Sequence, residues 1–296
     1  MDTVSIFLGV MGFSLKSIFI KLSLIEGMSV SQVMVMRMLI SLPFFISVFF
    51  MKKNSNDAES KRGYFSLVFT CSMLYFLSSI LDIAGLKFVT VSLERTFLFT
   101  IPVFTLLFSY FIFKKKYSKN VIFYCIFSWF GVFVSFISDN GFQNVNINFF
   151  FGALLILISA LMYSLYMVLS VKGIEIYGSI GFNSRVMSIA TIPALLIASG
   201  QYSTIITDTF SIHTLAISIS LAVFSTVLPS FLMSYGIKKC GPTVVSLFNN
   251  IGPFITILSG YLFLGETITV NNFLGLGIVI ICVLGINREM NRGKTK

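Results

Sequence analysis

The chain is divided into ten apolar runs, each about as long as a membrane-spanning helix, by short polar connections. A spanning helix needs about 17 to 25 mostly apolar residues. The runs lie at 4–22, 31–50, 64–83, 91–113, 121–137, 149–169, 183–200, 213–235, 243–264 and 272–287. Barrel strands alternate apolar and polar residues with a period of two, and these runs do not. We therefore predict an all-α integral membrane protein with ten transmembrane helices.

The composition agrees with a protein whose surface faces lipid. Hydrophobic residues make up 56% of the chain and charged residues 11%, and the mean hydropathy is +0.94. A soluble protein carries about 25% charged residues. The net charge of +10 comes from Lys and Arg dispersed between apolar runs, without a basic face that contains interleaved aromatics. The lipid bilayer is thus the predicted partner, and no nucleic acid is expected.

The positions of the basic residues predict the orientation. With the N-terminus inside, the inner connections and the C-terminal tail contain 16 of the 21 Lys and Arg residues, whereas the outer connections contain only Lys87. Cytoplasmic loops are enriched in Lys and Arg. We expect a multi-pass protein of the bacterial inner membrane, with both termini in the cytoplasm.

The two halves of the sequence resemble each other at an offset of 151 residues. The pairs that match are Gly85 and Gly236, Lys87 and Lys238, Phe97 and Phe248, Pro102 and Pro253, Thr105 and Thr256, Leu107 and Leu258, and Tyr110 and Tyr261. Each half then contains five helices. Because five is odd, the second copy enters the membrane with the opposite orientation. This arrangement is typical of secondary transporters.

Several motifs are similar to those of EamA-type members of the drug/metabolite transporter superfamily. In the second half they are Tyr235-Gly236-Ile237-Lys238, the run 246–254 (SLFNNIGPF) and the run 262–267 (LFLGET). In the first half they are Gly85-Leu86-Lys87-Phe88, Ile101-Pro102-Val103-Phe104-Thr105 and Arg37. The resemblance implies a ten-helix carrier of small metabolites, often an exporter, that works by alternating access without an ATPase domain.

The resemblance also divides the chain and has one clear departure. It implies a first five-helix repeat at 1–137, an external connection at 138–148, a second repeat at 149–287 and a cytoplasmic tail at 288–296. Where the family usually repeats Gly-Glu after its fourth helix, this chain has Lys114-Lys115-Lys116. The role of these three lysines stays open.

Lys16 is the main candidate for contact with a solute. It lies about 18 Å into the first helix at 1.5 Å per residue, near the middle of a core about 30 Å thick. Gly9, Gly12 and Ser23 share its side of the helix, where a helix or a substrate could approach closely. The alternative is a purely structural lysine that snorkels or pairs with a carboxylate.

The other charges within the spans are expected in the outer half of the membrane. Lys21, Arg37, Glu94 and Arg95 are interpreted there as a gating or coupling group, with a structural ion-pair network as the alternative. Asp82 is placed at the edge of its span, so Glu94 is the one carboxylate expected inside a span. Protons are therefore a candidate coupling ion, with Glu94 as their site.

Uncharged polar and aromatic residues complete the candidate site. Asn249 and Asn250 precede a Gly-Pro pair, where carriers often open a helix to bind solute. Tyr163 and Tyr166 could line a cavity on the sixth helix. A packed, kinked ninth helix and tyrosines that face lipid or the core are the structural alternatives.

The sequence contains little material for catalysis or cofactors. It has one His, no phosphate-binding loop of the type G-x-x-x-x-G-K and no grouping of Ser, His and Asp, so we expect no enzyme, no metal and no cofactor. The in-span charge of about +3 favours an amino acid or an organic anion as the solute. The alternatives are an integral-membrane enzyme, a flippase-type subunit that handles lipid-linked intermediates, and a noncatalytic partner subunit. Solute identity, direction, coupling ion and oligomeric state are not determined by the sequence.

Overall fold

A computed structural model describes residues 2–51, 64–98, 100–114, 118–140, 147–200, 211–233, 235, 252–265 and 269–292. This part of the chain is helical, and no strand occurs within it. The helices are α1 (Asp2–Ile25), α2 (Val30–Met51), α3 (Phe65–Leu86), α4 (Val91–Leu98), α5 (Ile101–Phe113), α6 (Lys119–Asn140), α7 (Ile147–Tyr177), α8 (Ser179–Gly200), α9 (Ile212–Ala222), α10 (Gly252–Leu264) and α11 (Val270–Arg292). A π-helical turn, Val223–Val227, follows α9, and the apolar span continues to Met233.

The helices agree with the predicted spans in position and differ in detail. Seven helices of the described residues are long and apolar enough to cross a membrane, and two apolar segments, Ile255–Leu264 and Phe273–Ile286, are shorter. The fourth run is divided into α4 and α5 around Thr100, whose hydroxyl donates to the carbonyl of Phe97 at 2.7 Å. The count of ten spans remains a prediction, because the first part of the ninth run, 243–251, lies outside the described residues.

Two helices end at corresponding positions of the two halves. Lys114 follows α5 with φ of 53°, and Gly265 follows α10 with φ of 65°. These positions are 151 residues apart, the same offset that relates the sequence halves. A left-handed residue commonly ends a helix, and glycine adopts that conformation without strain. The Lys114 position therefore has the backbone of a glycine position.

Most helix pairs join one helix of the first half of the chain to one helix of the second half. α2 packs against α8, and α6 against α11. α5 lies on α7, and α10 lies on α1. α3 contacts both α7 and α8, while the α9 span with its π turn contacts both α1 and α2. Helices of the first half thus meet mainly helices of the second half.

The interior and the surface have the distribution expected of a protein in lipid. Large apolar side chains are exposed on outward faces, including Phe111 at 71%, Ile126 at 69% and Leu196 at 68%. Many buried residues are small and hydroxylated, and their hydroxyls bond to carbonyls one turn back, as Ser72 does to Val68 at 2.7 Å. Small residues let helices approach closely where lipid gives no hydrophobic drive for association.

Candidate functional site

An ion pair joins α1 to α3 in the interior of the first half. Lys16 Nζ lies 2.7 Å from Asp82 Oδ2, and 21% of the lysine side chain and 3% of the aspartate side chain are exposed. Asp82 is buried within α3, because that helix continues to Leu86 instead of ending near residue 83. Asp82 lies four residues before the end of α3, and its burial means that Glu94 is not alone as a buried carboxylate.

A second charged pair lies on α4 and contacts the same part of α1. Arg95 Nε is 3.4 Å from Glu94 Oε2, and Glu94 is fully buried. Arg95 Nη2 donates to the carbonyl of Phe13 at 2.7 Å and to the Ser17 hydroxyl at 2.9 Å. Since Phe13 and Ser17 lie on either side of Lys16 in the sequence, the two pairs belong to neighbouring parts of one polar region. We call Lys16, Asp82, Glu94 and Arg95 the charged cluster.

Several polar atoms of the charged cluster have no hydrogen-bond partner among the described residues. They are Asp82 Oδ1, both carboxylate oxygens of Glu94, and Arg95 Nε. Buried carboxylate oxygens usually accept hydrogen bonds, and the cost of leaving them unpaired is substantial. The charged cluster balances two cations against two carboxylates and still offers acceptors. With Asp82 included, four in-span cations face two carboxylates, so the expected in-span charge falls from about +3 to about +2.

Lys21 interacts with the backbone of α3 and the connection after it. Its ammonium donates to the carbonyls of Leu86 and Val89, each at 2.7 Å. The last carbonyls of a helix lack partners within the helix, and a cation there also interacts favourably with the helix dipole. Lys21 thus caps α3 and ties it to α1, which is a structural role.

Arg37 on α2 is buried without a carboxylate partner in the described part of the chain. It is 1% exposed, and its Nη2 donates to the Tyr75 hydroxyl at 2.8 Å and to the Ser79 hydroxyl at 3.3 Å. Its Cζ lies 6.0 Å from the centroid of the Tyr75 ring. Nε and Nη1 have no hydrogen-bond partner among the described residues. Arg37 is therefore distinct from the charged cluster, although both contact α3.

The two tyrosines expected on the sixth helix form an aromatic series with a third. The ring centroids of Tyr163 and Tyr166, both on α7, are 5.5 Å apart, and those of Tyr166 and Tyr75 are 5.7 Å apart. Tyr163 and Tyr166 are partly buried against the core and do not face lipid alone. The series leads from α7 in the second half to Arg37 in the first.

Two other sequence-based candidates have different outcomes. Asn249 and Asn250 lie outside the described residues. The α9 span packs closely against the two glycines of α1. A Cβ on Gly12 would lie 2.6 Å from the carbonyl of Phe224, which is in the π turn after α9. A Cβ on Gly9 would lie 3.0 Å from Met233 Cγ. The close approach predicted along that side of α1 is therefore made by the α9 span.

Sequence reasoning missed part of this arrangement. Tyr75, Ser79 and Asp82 lie at i, i+4 and i+7 on α3, and this spacing places them on one face of a helix. The polar face of α3 was therefore visible in the sequence. The partners of that face, Arg37 on α2 and Lys16 on α1, follow from tertiary contacts.

Comparisons with known proteins agree with this architecture. The EamA-like transporter family matches the chain twice, at residues 3–137 and 150–288. "Uncharacterized transporter YcbK" of Bacillus subtilis is 30% identical over 302 residues, which cover 99% of this chain and 95% of that protein. An "Uncharacterized transporter" of Clostridium kluyveri is 29% identical over 196 residues, or 65% of this chain and 62% of that protein.

A solved crystal structure has a similar fold. It covers 100% of this chain and 98% of its own with a TM-score of 0.65, at 12% sequence identity. The apolar helices, the two matched repeats and the related transporters show that this chain belongs to the EamA-like transporter family and is a multi-pass membrane transporter.

Proposed function

We propose that the protein is a secondary active transporter that exports a small polar metabolite, such as an amino acid or an organic anion. Transport would proceed by alternating access between two inverted five-helix repeats, at 1–137 and 149–287. We place the carrier in the bacterial inner membrane, with both termini in the cytoplasm.

The observation that carries this proposal is the charged cluster. Charges within a membrane are costly, and in transporters they commonly mark pathways for solutes or protons. A purely structural ion-pair network would satisfy its polar atoms, whereas Asp82 Oδ1 and Glu94 Oε1 lack hydrogen-bond partners among the described residues. Such acceptors can bind a solute ammonium group or a proton.

The pairing of helices supports an alternating-access mechanism. By their order in the two repeats, α1 corresponds to α7, α3 to the α9 span, and α5 to α10. If each helix is exchanged with its counterpart, the contact of α5 with α7 becomes the contact of α10 with α1. The α3–α7 contact likewise becomes the contact of the α9 span with α1, and the α2–α8 and α6–α11 pairs map onto themselves. Contacts related in this way favour two equivalent repeats that can rock against each other.

Individual contacts follow the same exchange. The Ser164 hydroxyl on α7 donates to the Ile101 carbonyl at the start of α5, at 3.1 Å. A Cβ on Gly252, at the start of α10, would lie 2.9 Å from the Ser14 hydroxyl on α1. Ile101 and Gly252 are 151 residues apart, and Ser14 and Ser164 are 150 apart.

Within this proposal the residues divide into two groups. Lys16, Tyr163 and Tyr166 would contact the solute, together with Asn249 and Asn250 from the sequence argument. Glu94, Arg95, Arg37 and Lys21 would act in gating or coupling. The contacts of Lys21 with backbone carbonyls favour a structural part for it within that group.

Transport in purified proteoliposomes tests the proposal. Vesicles are loaded with a panel of labelled amino acids and organic anions, and flux is measured with and without a pH gradient. Efflux or exchange of at least one solute, saturable and absent from protein-free vesicles, is the expected result. Movement of a lipid-linked intermediate in place of every soluble solute would contradict the proposal and favour the flippase-type alternative.

Proton coupling has a separate test with two matched variants. Glu94→Gln and Asp82→Asn each keep the side-chain shape and remove one titrating carboxylate. If Glu94 is the proton site, Glu94→Gln loses transport driven by a pH gradient and retains solute exchange at equal pH. If Glu94→Gln still accumulates solute when only a pH difference drives it, the coupling site is Asp82 or the coupling ion is not the proton.

A further inference from the structure

We propose that Arg37, Tyr75 and Ser79 form a binding site for a small anion. The anion is either the carboxylate group of the transported solute or a free inorganic anion such as chloride. The proposal changes the part assigned to Arg37 from gating to anion recognition, and it rests on the proposed function only where the anion belongs to the solute.

The first argument is the comparison of Arg37 with the other cations inside the spans. Lys16 pairs with Asp82, Arg95 with Glu94, and Lys21 with two backbone carbonyls. Arg37 alone among these four has no carboxylate or carbonyl bonded to its guanidinium in the described part of the chain. A buried, permanently charged group requires compensation, and we infer that a ligand supplies it here.

The second argument is the set of donors that remains. The Nε atom has one N–H group and the Nη1 atom has two, and none of them has an acceptor among the described residues. Tyr75 and Ser79 accept from Nη2 through their hydroxyl oxygens, so each keeps its own proton to donate. Guanidinium and hydroxyl donors together are the groups that bind carboxylates and other small anions.

The third argument is position. Arg37 comes from α2, Tyr75 and Ser79 come from α3, and the Tyr166 ring of α7 contacts Tyr75 at 5.7 Å between ring centroids. The site therefore lies where the two repeats meet. Ser79 also precedes Asp82 by about one turn of α3, so an anion at Arg37 would be close to the charged cluster.

The conformation described here is closed around Arg37, whose exposure is 1%. An anion can reach the guanidinium only when the helices around it separate. A carrier that alternates between two states provides such separation, and the anion then stabilises the state in which Arg37 is accessible.

Binding can be tested on the full-length protein in lipid nanodiscs. The probes are sodium acetate and sodium chloride, each compared with the bulky sulfonate 2-(N-morpholino)ethanesulfonate at equal sodium concentration. The midpoint of thermal unfolding is followed by the fluorescence of the single tryptophan. We expect acetate to raise the midpoint saturably in the wild-type protein and in a control variant, and to have no effect on Arg37→Gln.

The control variant is Arg185→Gln. Arg185 is another arginine within a helix, but its Cζ lies 4.5 Å from the Tyr177 ring centroid and 5.0 Å from that of Phe49. Its Nη1 donates to the Gly181 carbonyl at 2.9 Å. Arg185 is partly exposed and lies away from Tyr75 and Ser79 on a different helix, so its removal should leave the acetate effect unchanged.

The two sources of the anion are distinguished by the second probe. Equal saturable shifts with acetate and chloride indicate a free inorganic anion, while a shift with acetate alone indicates the carboxylate of a solute. Either result supports the site. The absence of a saturable shift in the wild-type protein, or an equal shift in Arg37→Gln, overturns it.

A second pair of variants keeps the test decisive if Arg37→Gln does not fold. Tyr75→Phe and Ser79→Ala each remove one hydroxyl and should raise the half-saturating acetate concentration at least threefold. Unchanged values in both would overturn the proposal. Because the readout is binding, a failure of solute transport would count against the proposed function without changing the result for this site.

Discussion

Breaking the ion pair between Lys16 and Asp82 should have unequal consequences for the two partners. Lys16→Met leaves a carboxylate that is 3% exposed, with Oδ1 already lacking a partner. Asp82→Asn leaves an ammonium group on a flexible side chain that is 21% exposed. The lysine can reorient toward a more polar region, and the aspartate cannot. We therefore expect the lysine substitution to be the more destabilising.

The geometry gives the scale of the effect. Two unit charges 2.7 Å apart attract each other by about 6 kcal/mol at an effective dielectric constant of about 20. Desolvation offsets much of this, and removal of one partner of a buried pair typically costs about 3–5 kcal/mol. We expect that range for Lys16→Met and about 1–3 kcal/mol for Asp82→Asn. The double variant should lose at least about 2 kcal/mol less than the sum of the single variants.

Denaturant titration in a mild detergent, followed by tryptophan fluorescence, measures these differences in the free energy of unfolding. Lys21→Met provides the control, because the Lys21 ammonium donates to the carbonyls of Leu86 and Val89, while Asp82 pairs with Lys16. When Lys21→Met is combined with Asp82→Asn, the two losses in the free energy of unfolding should add, without a coupling energy. Additive losses for Lys16→Met and Asp82→Asn would refute the ion pair as a stabilising contact.

Transport by the same variants separates structure from function. Lys16→Met, Lys16→Ala and the double variant should all lose transport, although the double variant loses less stability than the sum of its single variants. Wild-type transport by a folded Lys16→Ala variant would refute a role for Lys16 in solute binding.

Three further predictions concern topology and backbone. A reporter that is active only outside the cytoplasm should be silent when fused after Lys296 and active when inserted within 140–146; a signal from the C-terminal fusion would contradict the positive-inside assignment. Lys114 and Gly265 both have positive φ, which glycine adopts without strain. Lys114→Gly should therefore stabilise the protein by about 0.5–1 kcal/mol, and Gly265→Ala should destabilise it by about 1 kcal/mol. A lower free energy of unfolding in Lys114→Gly would contradict this. Gly12→Ala should cost about 2 kcal/mol or more because its Cβ would lie 2.6 Å from a backbone carbonyl. Gly277→Ala, whose Cβ would have nothing within 4 Å, should be neutral or slightly stabilising in the same unfolding assay.

Part of the candidate site could be predicted from single residues, and part could not. An ionisable residue in an apolar run is conspicuous, and for this reason Lys16, Arg37, Glu94 and Arg95 could be selected without coordinates. The burial of Asp82 was not predicted, because helix ends cannot be read accurately from hydropathy, and α3 extends three residues past the predicted end of its run. The contact with Lys16, which buries this carboxylate, depends on the packing of α1 against α3.

The sequence by itself determined the membrane environment, the helical class and the relation between the two halves. Each of these follows from a local or periodic property: the length of an apolar run, the placement of Lys and Arg, and matches at a fixed offset. Tertiary structure alone decided which charges are neighbours. Lys16 and Asp82 are 66 residues apart in the chain, and Arg37 and Tyr75 are 38 apart. Helices in lipid associate through packing and polar contacts rather than through hydrophobic burial, so the pattern of apolar residues does not specify which polar faces meet.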